Sequence, residues 1–403
     1  MVTQIPRRLD KKYLAWLIIL ISTMTFIGST FYMPSLPNMT IALNATNTEI
    51  QNTLTIYFLG FSVAQLFFGP ASDRFGRKPI LLLGVALATA AGILSAIAPN
   101  MEIIMLARFL QGVGLAAPNS LTRTLLRDVY TDKELVKVIS YFTMAISMAP
   151  AITPTIGGYL ETLVGWEGVF MCGSIYLGAA FLLIVIFLPE TNQHMNPQAL
   201  QVGHMFEKYW LLLRQKKFMG YTLASSAIVG GFMGYGAATP FLYQQGVGLT
   251  PDQNGWLAFV TAGAVMVGSA VNPKISPKFG PIAMIALGSS MMILSGFFMY
   301  VFGILGYMNV WVILLPSLLF FFAGGIVFPV SYMESFKDMG KMAGFAGALF
   351  GFFFMTGAMI VTNLTAILPE TDQTYLAMIF MGLGFFVWLM KKLLIQKHKE
   401  DAA

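Results

Sequence analysis

The chain has 403 residues, 57% of them apolar and only 10% charged, with a formal net charge of +6. A soluble domain carries roughly 25% charge, and a mean hydropathy of +0.72 over the whole length excludes a water-soluble fold with a single anchor. One cysteine, Cys172, excludes a disulfide framework and argues against a cysteine metal site, and His194, His204 and His398 all fall in polar stretches, which disfavours a haem or a buried histidine relay.

Apolar runs of about 20 residues recur from end to end, each long enough to cross roughly 30 Å of hydrocarbon. Without water to satisfy the backbone amides, such runs must be helices. In chain order they predict spans at 13–33, 50–70, 79–98, 101–122, 136–160, 165–188, 218–243, 252–272, 281–303, 309–333, 342–366 and 373–394. The first run lacks a small-residue cleavage pattern and reads as span 1 rather than a leader.

The basic residues mark one face. Arg7, Arg8, Lys11 and Lys12 precede span 1. Arg74, Arg77 and Lys78 join spans 2 and 3, and Arg123, Arg127, Lys133 and Lys137 join spans 4 and 5. Lys208, Arg214, Lys216 and Lys217 lie between spans 6 and 7, Lys274 and Lys278 follow span 8, and Lys337 and Lys341 follow span 10. Lys391, Lys392, Lys397 and Lys399 form the tail. Every Lys and Arg except Arg108 is accounted for, so the positive-inside rule places this face and both termini in the cytoplasm, with an even number of spans. The basic character is then topology and attraction to the lipid surface, with no nucleic-acid partner.

The longest polar stretch, 189–217, predicts a cytoplasmic loop between a six-helix half at 1–188 and a second at 218–403. Two internal echoes support a duplication: FFGPASDRFGRKPILLLG at 67–84 with AVNPKISPKFGPIAMIALG at 270–288, and the segments ending at Asp128 and Asp338. The expected fold is an all-α membrane protein of twelve transmembrane helices in two pseudo-symmetric halves, with the site at midplane between them.

The loop between spans 2 and 3 reads Gly69-Pro-Ala-Ser-Asp73-Arg74-Phe-Gly76-Arg77-Lys78. Its glycines permit a tight turn, and Asp73 lies where it can meet a helix N-terminus and basic side chains. With Arg127 and Asp128 this cluster is expected to act as a cytoplasmic gate. Span 4 carries Arg108-Phe-Leu-Gln111-Gly112, and span 5 carries Pro150, Pro154, Gly157 and Gly158, which suit a bent, tightly packed helix. These three motifs resemble those of the major facilitator superfamily. Tyr32-Met-Pro34-Ser-Leu-Pro37, Arg127-Asp128-Val-Tyr130, Leu188-Pro189-Glu190-Thr191 and Thr239-Pro240-Phe-Leu narrow the resemblance to the Bcr/CflA group of bacterial drug-resistance transporters. The resemblance implies the major facilitator fold, an inner-membrane location, and export of small amphipathic compounds in exchange for protons. It implicates Arg108 in coupling and assigns the span 5 motif to antiporters.

The chain departs from this pattern at Thr30, where related exporters carry an acid, and no acid lies in the middle of any span. Arg108, a cation costly at membrane depth, is expected to face a water-accessible cavity, though it can also snorkel to the outer surface. Either Glu102 reaches it by tertiary packing or the substrate supplies the negative charge, which would favour neutral or anionic solutes. Thr30, Tyr32, Gln111, Asn119, Tyr235 and Asn363 are the remaining candidate cavity residues, and each equally suits a helix–helix hydrogen bond.

No intramembrane catalytic cluster, metal-ligand spacing or P-loop is present, so neither an enzyme nor an ATP-driven pump is expected. The expectation is a monomer with no cofactor, driven by the proton gradient, whose partners are a small molecule and the bilayer. A dedicated metabolite or siderophore permease for a neutral or anionic solute, running in either direction, is the alternative.

Overall fold

A computed structural model describes residues 11–193, 195–368 and 372–396, and their regular structure is entirely helical. Arg7, Arg8, His194, Lys397, His398 and Lys399, used above to read topology and chemistry, lie outside the described residues.

The helices are α1 (Lys11–Ser29), α2 (Leu36–Ala42), α3 (Asn47–Phe75), α4 (Arg77–Ala96), α5 (Met101–Val129) and α6 (Asp132–Phe187), followed by α7 (Val202–Leu213), α8 (Lys216–Pro240), α9 (Pro251–Ile304), α10 (Val310–Phe336), α11 (Ala343–Ile367) and α12 (Thr374–Met390). Among the described residues, nine helical stretches are long and apolar enough to cross a membrane. Two of these hold a pair of predicted spans each: α6 is broken at Gly165 (φ 70°) and α9 at Gly280 (φ 77°). Positive φ is cheap only for glycine, so each pair turns where the sequence supplies one. The seventh predicted span falls on α8, rich in glycine, serine and alanine.

Span 1 departs from expectation. The sequence predicts one helix over 13–33, but α1 stops at Ser29, a turn follows, and a short 3-10 segment at Met33–Ser35 leads into α2. Pro34 and Pro37 explain the break, since neither offers an N–H to continue the ladder and each disfavours helix in the residue before it. The 189–217 loop also differs, because it contains α7. Met205, Tyr209 and Leu212 recur there at helical spacing, and α7 packs Met205 and Leu212 inward.

The buried apolar side chains form separate clusters. The largest runs from Leu14 to Leu188 and takes in only Ala237, Phe241, Met355 and Ala358 from later in the chain. A second runs from Tyr221 to Ile395. Large apolar side chains such as Leu83, Ile175 and Phe298 remain exposed on the outer faces of the helices, where a bilayer would meet them.

Candidate functional site

The break in helix 1 organises the site. Where a helix ends, its last carbonyls lose their intrahelical donors and gather partial negative charge. Arg108, on α5, supplies the donor here: its Nη2 donates to the Gly28 carbonyl at 2.6 Å, and its Nη1 donates to Gln111 Oε1 one turn along α5. The guanidinium carbon lies 4.2 Å from the Tyr32 ring centroid, 4.6 Å from Tyr57 and 5.7 Å from Phe170. A desolvated cation over an aromatic face gains about 2 kcal/mol, so three rings and a helix terminus replace a carboxylate. Tyr32 is held by a 2.8 Å bond to Thr53, and Tyr57 donates to the Thr25 carbonyl at 3.3 Å.

This geometry corrects the expected setting of Arg108. It is 0% exposed, held by groups from α1, α3, α5, α6 and the turn after α1, and it neither lines a water-accessible cavity nor snorkels outward. Glu102 is exposed at the start of α5, whereas Arg108 is buried and bonds neutral groups instead. The Nε of Arg108 is buried with no hydrogen-bond partner.

Beyond Arg108 the break is gripped residue by residue. The Thr30 and Thr153 hydroxyls share a hydrogen bond of 2.6 Å, so the position where an acid was expected is a neutral hydroxyl pair between helix 1 and α6. Gln244 donates to the Pro34 carbonyl at 2.9 Å, and Asn38 donates to Glu161 Oε1 at 2.7 Å. Gly157 of the α6 motif lies against the Phe31 carbonyl, and Gly158 against the Pro251 carbonyl, where a Cβ would overlap the backbone. Pro154 sits beside Gly255, and Thr155 donates to the Gly255 carbonyl at 2.9 Å. The motif therefore lets α6 approach both the break and α9. Pro150 lies one turn earlier on α6 and is half-buried.

The other predicted residues scatter. Asn119 donates to Gln65 at 3.3 Å, and the Gln65 amide lies against Gly351 of α11. Asn363 donates to Asn52 at 3.3 Å, joining α11 to α3. Tyr235 is buried within the second cluster, its hydroxyl 3.2 Å from that of Tyr243 and its ring against Phe321. Tyr32, Arg108 and Gln111 meet, and Thr30 is two residues from the bonded Gly28 carbonyl, whereas Asn119, Tyr235 and Asn363 belong elsewhere.

At the end remote from the basic loops, the two parts of the chain are stitched by further bonds. Thr48 donates to the Ala366 carbonyl at 2.7 Å, Thr55 meets Thr362 at 3.3 Å, and Trp256 Nε1 donates to Tyr159 at 2.8 Å.

At the basic end, Arg77 bonds Asp73 at 2.5 Å and Asp128 at 3.3 Å, and it donates to Ser72 at 2.6 Å. Glu190 accepts from the Arg77 and Lys78 backbone amides at 2.9 and 3.1 Å, placing a carboxylate on the N-terminus of α4. Gly76 takes φ 99° beside it, and a Cβ there would meet the Glu190 carboxylate. Lys78 reaches the Val185 carbonyl at 2.8 Å, Arg74 lies over Phe75, and Arg127 is exposed. A Cβ on Gly69 would lie 3.9 Å from Ser120 Oγ, an ordinary contact. Sequence reasoning identified Asp73, Arg77 and Asp128 but gave no site role to Glu190, Tyr57, Thr53, Asn52 or Gln65; Glu190 was legible in principle as an acid just after a span in the same basic face.

The profile of the Major Facilitator Superfamily matches residues 18–362. The chain is 27% identical over 373 residues to multidrug resistance protein D of Escherichia coli K12, covering 93% of each protein. It is 28% identical to the bicyclomycin resistance protein homolog of Haemophilus influenzae, covering 87% of this chain and 88% of that one. A chloramphenicol resistance protein of Pseudomonas aeruginosa is 31% identical over 272 residues, covering 66% of this chain and 63% of that one. In fold, the chain is similar to the inward-facing, occupied structure of a bacterial homolog of the human lysosomal transporter Spinster, with a TM-score of 0.71 at 12% identity and coverage of 96% and 97%.

Proposed function

The chain belongs to the major facilitator superfamily and is a multi-pass membrane transporter rather than an enzyme, and from that premise we propose that it exports small amphipathic compounds across the bacterial inner membrane in exchange for protons. The residues before 189 and after 217 act as two halves that rock about a central pathway, with the basic face and both termini in the cytoplasm. The protein works as a monomer, uses the proton gradient in place of a cofactor, and binds no nucleic acid.

The observation that carries this reading is the interrupted first helix. Broken helices with freed carbonyls are where carriers place substrate and coupling sites. Here Gln244, from the second half, bonds the Pro34 carbonyl of the break, so movement of the halves must act on it directly. Arg108 tethers the Gly28 carbonyl from within the first half and acts as a positioning residue for the break. The drug class is supported by the names of the resistance proteins it resembles, two of which align over most of the chain.

One observation favours the second reading, a permease for a neutral or anionic solute. The partners of Arg108 are all neutral, and Thr30 meets Thr153 rather than an acid.

The test is dye efflux. Cells expressing the protein are loaded with a lipophilic cationic dye and re-energised. The export reading expects efflux that stops when an uncoupler is added and is lost with Arg108→Ala. Efflux equal to that of empty cells for cationic and neutral dyes, with uptake of anionic solutes instead, would favour the permease.

A further inference from the structure

The helix α7 carries two neighbouring apolar stripes, one buried and one exposed. Met205 and Leu212 are buried, 6% and 0% exposed, and Leu212 joins a cluster with Phe218, Ala346 and Phe350. Phe206, Trp210 and Leu213, at the i, i+4, i+7 spacing of one stripe, are 66%, 46% and 39% exposed. Phe206 and Trp210 stack with centroids 6.1 Å apart, and the Arg214 guanidinium lies 4.9 Å from the Trp210 ring. At twelve residues α7 is too short to cross a bilayer.

Charge and position specify what covers the stripe. Lys208 on α7 and Arg214 just after it supply positive charge, against the single acid Glu207. The end of α12 repeats the arrangement: Trp388 carries Lys391 and Lys392 at 6.0 and 5.3 Å, and Leu393 is exposed beside them. Tryptophan next to lysine or arginine at the end of a span marks the level of the lipid headgroups. The stripe on α7 therefore continues the lipid-facing belt onto the basic side.

The inward face reaches both halves. Tyr209 donates to the Leu66 carbonyl of α3 at 2.8 Å, and its ring lies edge-on to Phe345 of α11 at 5.5 Å. Burial raises the pKa of the Tyr209 hydroxyl, which keeps it a neutral donor.

We propose that α7 is an interfacial helix that seats Phe206, Trp210 and Leu213 in the cytoplasmic leaflet, gathers anionic lipid headgroups at Lys208 and Arg214, and through Tyr209 ties that lipid to the seam between α3 and α11. This goes beyond the transport reading and takes from it only the cytoplasmic placement of the basic face. The occupant is bilayer lipid, and transport becomes sensitive to its charge.

The full-length protein and its Trp210→Phe variant are reconstituted in vesicles of phosphatidylcholine, with or without phosphatidylglycerol, carrying acyl-brominated lipid. The difference between their fluorescence isolates Trp210. The expected result is bromine-quenched Trp210 emission, and transport that rises with phosphatidylglycerol. Lys208→Gln and Arg214→Gln, two substitutions at the surface, are each expected to lower the preference for anionic lipid about fivefold. Trp210 emission that bromine does not quench, or quenching lost when a second copy associates at high protein density, would overturn the proposal, as would transport indifferent to lipid charge. Failure of the transport reading looks different, namely no solute movement in any lipid with Trp210 still quenched.

Discussion

Arg108 shows how a buried cation can be satisfied without an acid. Its donors meet the free carbonyl of a helix end and a side-chain amide, and its faces meet three aromatic rings. A lysine carries the same charge but lacks the planar fork that bonds two acceptors while stacking between rings. Arg108→Lys should reduce transport at least about tenfold while leaving insertion intact; a variant transporting at the native rate would show that charge alone suffices. Tyr57→Phe keeps the ring and loses only the bond to Thr25, and is expected to change transport by less than about twofold. The sequence singled out Arg108 and Gln111 from their spacing. It could not reveal the partners, because a main-chain carbonyl and ring faces leave no mark in a search for opposite charge. Asn119, Tyr235 and Asn363 were chosen as polar residues within spans, and the direction each faces depends on helix rotation, which residue type does not fix.

At the scale of elements, glycine positions decide how closely helices approach. Gly157 lies on the Phe31 carbonyl, and no rotamer change can relieve a Cβ pressed into backbone. Gly157→Ala should push α6 away from the helix 1 break and lower both transport and thermal stability. Gly382→Ala, where nothing lies within 4 Å, should leave both unchanged and serves as the control. Equal effects of the two would mean that the close approach is unimportant. Gly76→Ala combines φ 99° with a clash at Glu190, so a loss of about 1–3 kcal/mol is expected in thermal unfolding of the purified protein. The spans were legible as elements because their apolar runs match the bilayer. The break after Ser29 was encoded by Pro34 and Pro37 but masked by the continuous apolarity of 13–33. The helix α7 was hidden because basic residues around it read as loop, although its apolar positions keep helical spacing.

For the whole molecule, the segments before 189 and after 217 touch at both ends, but among the described residues the hydrogen bonds between them lie mainly at the end remote from the basic loops. Asn52 and Asn363 meet across that seam. With Cys172→Ser to remove the native thiol, Asn52→Cys paired with Asn363→Cys should cross-link on oxidation and stop transport, and a reductant should restore it. Transport undiminished by complete cross-linking would mean that the outer seam need not open. The polar stretch 189–217 and the paired motifs predict a division into halves, whereas the contacts across the seam depend on side chains far apart in sequence.

Coupling is the central claim, and proton movement tests it most directly. Inside-out vesicles containing the protein are energised, and the interior acid gradient is followed as lipophilic cations, neutral antibiotics and anionic chelators are added in turn. The account predicts that an amphipathic cation or neutral antibiotic partly collapses the gradient, and that Arg108→Ala abolishes the effect. A labelled solute that crosses only down its own gradient, with no proton movement for any class, would contradict it.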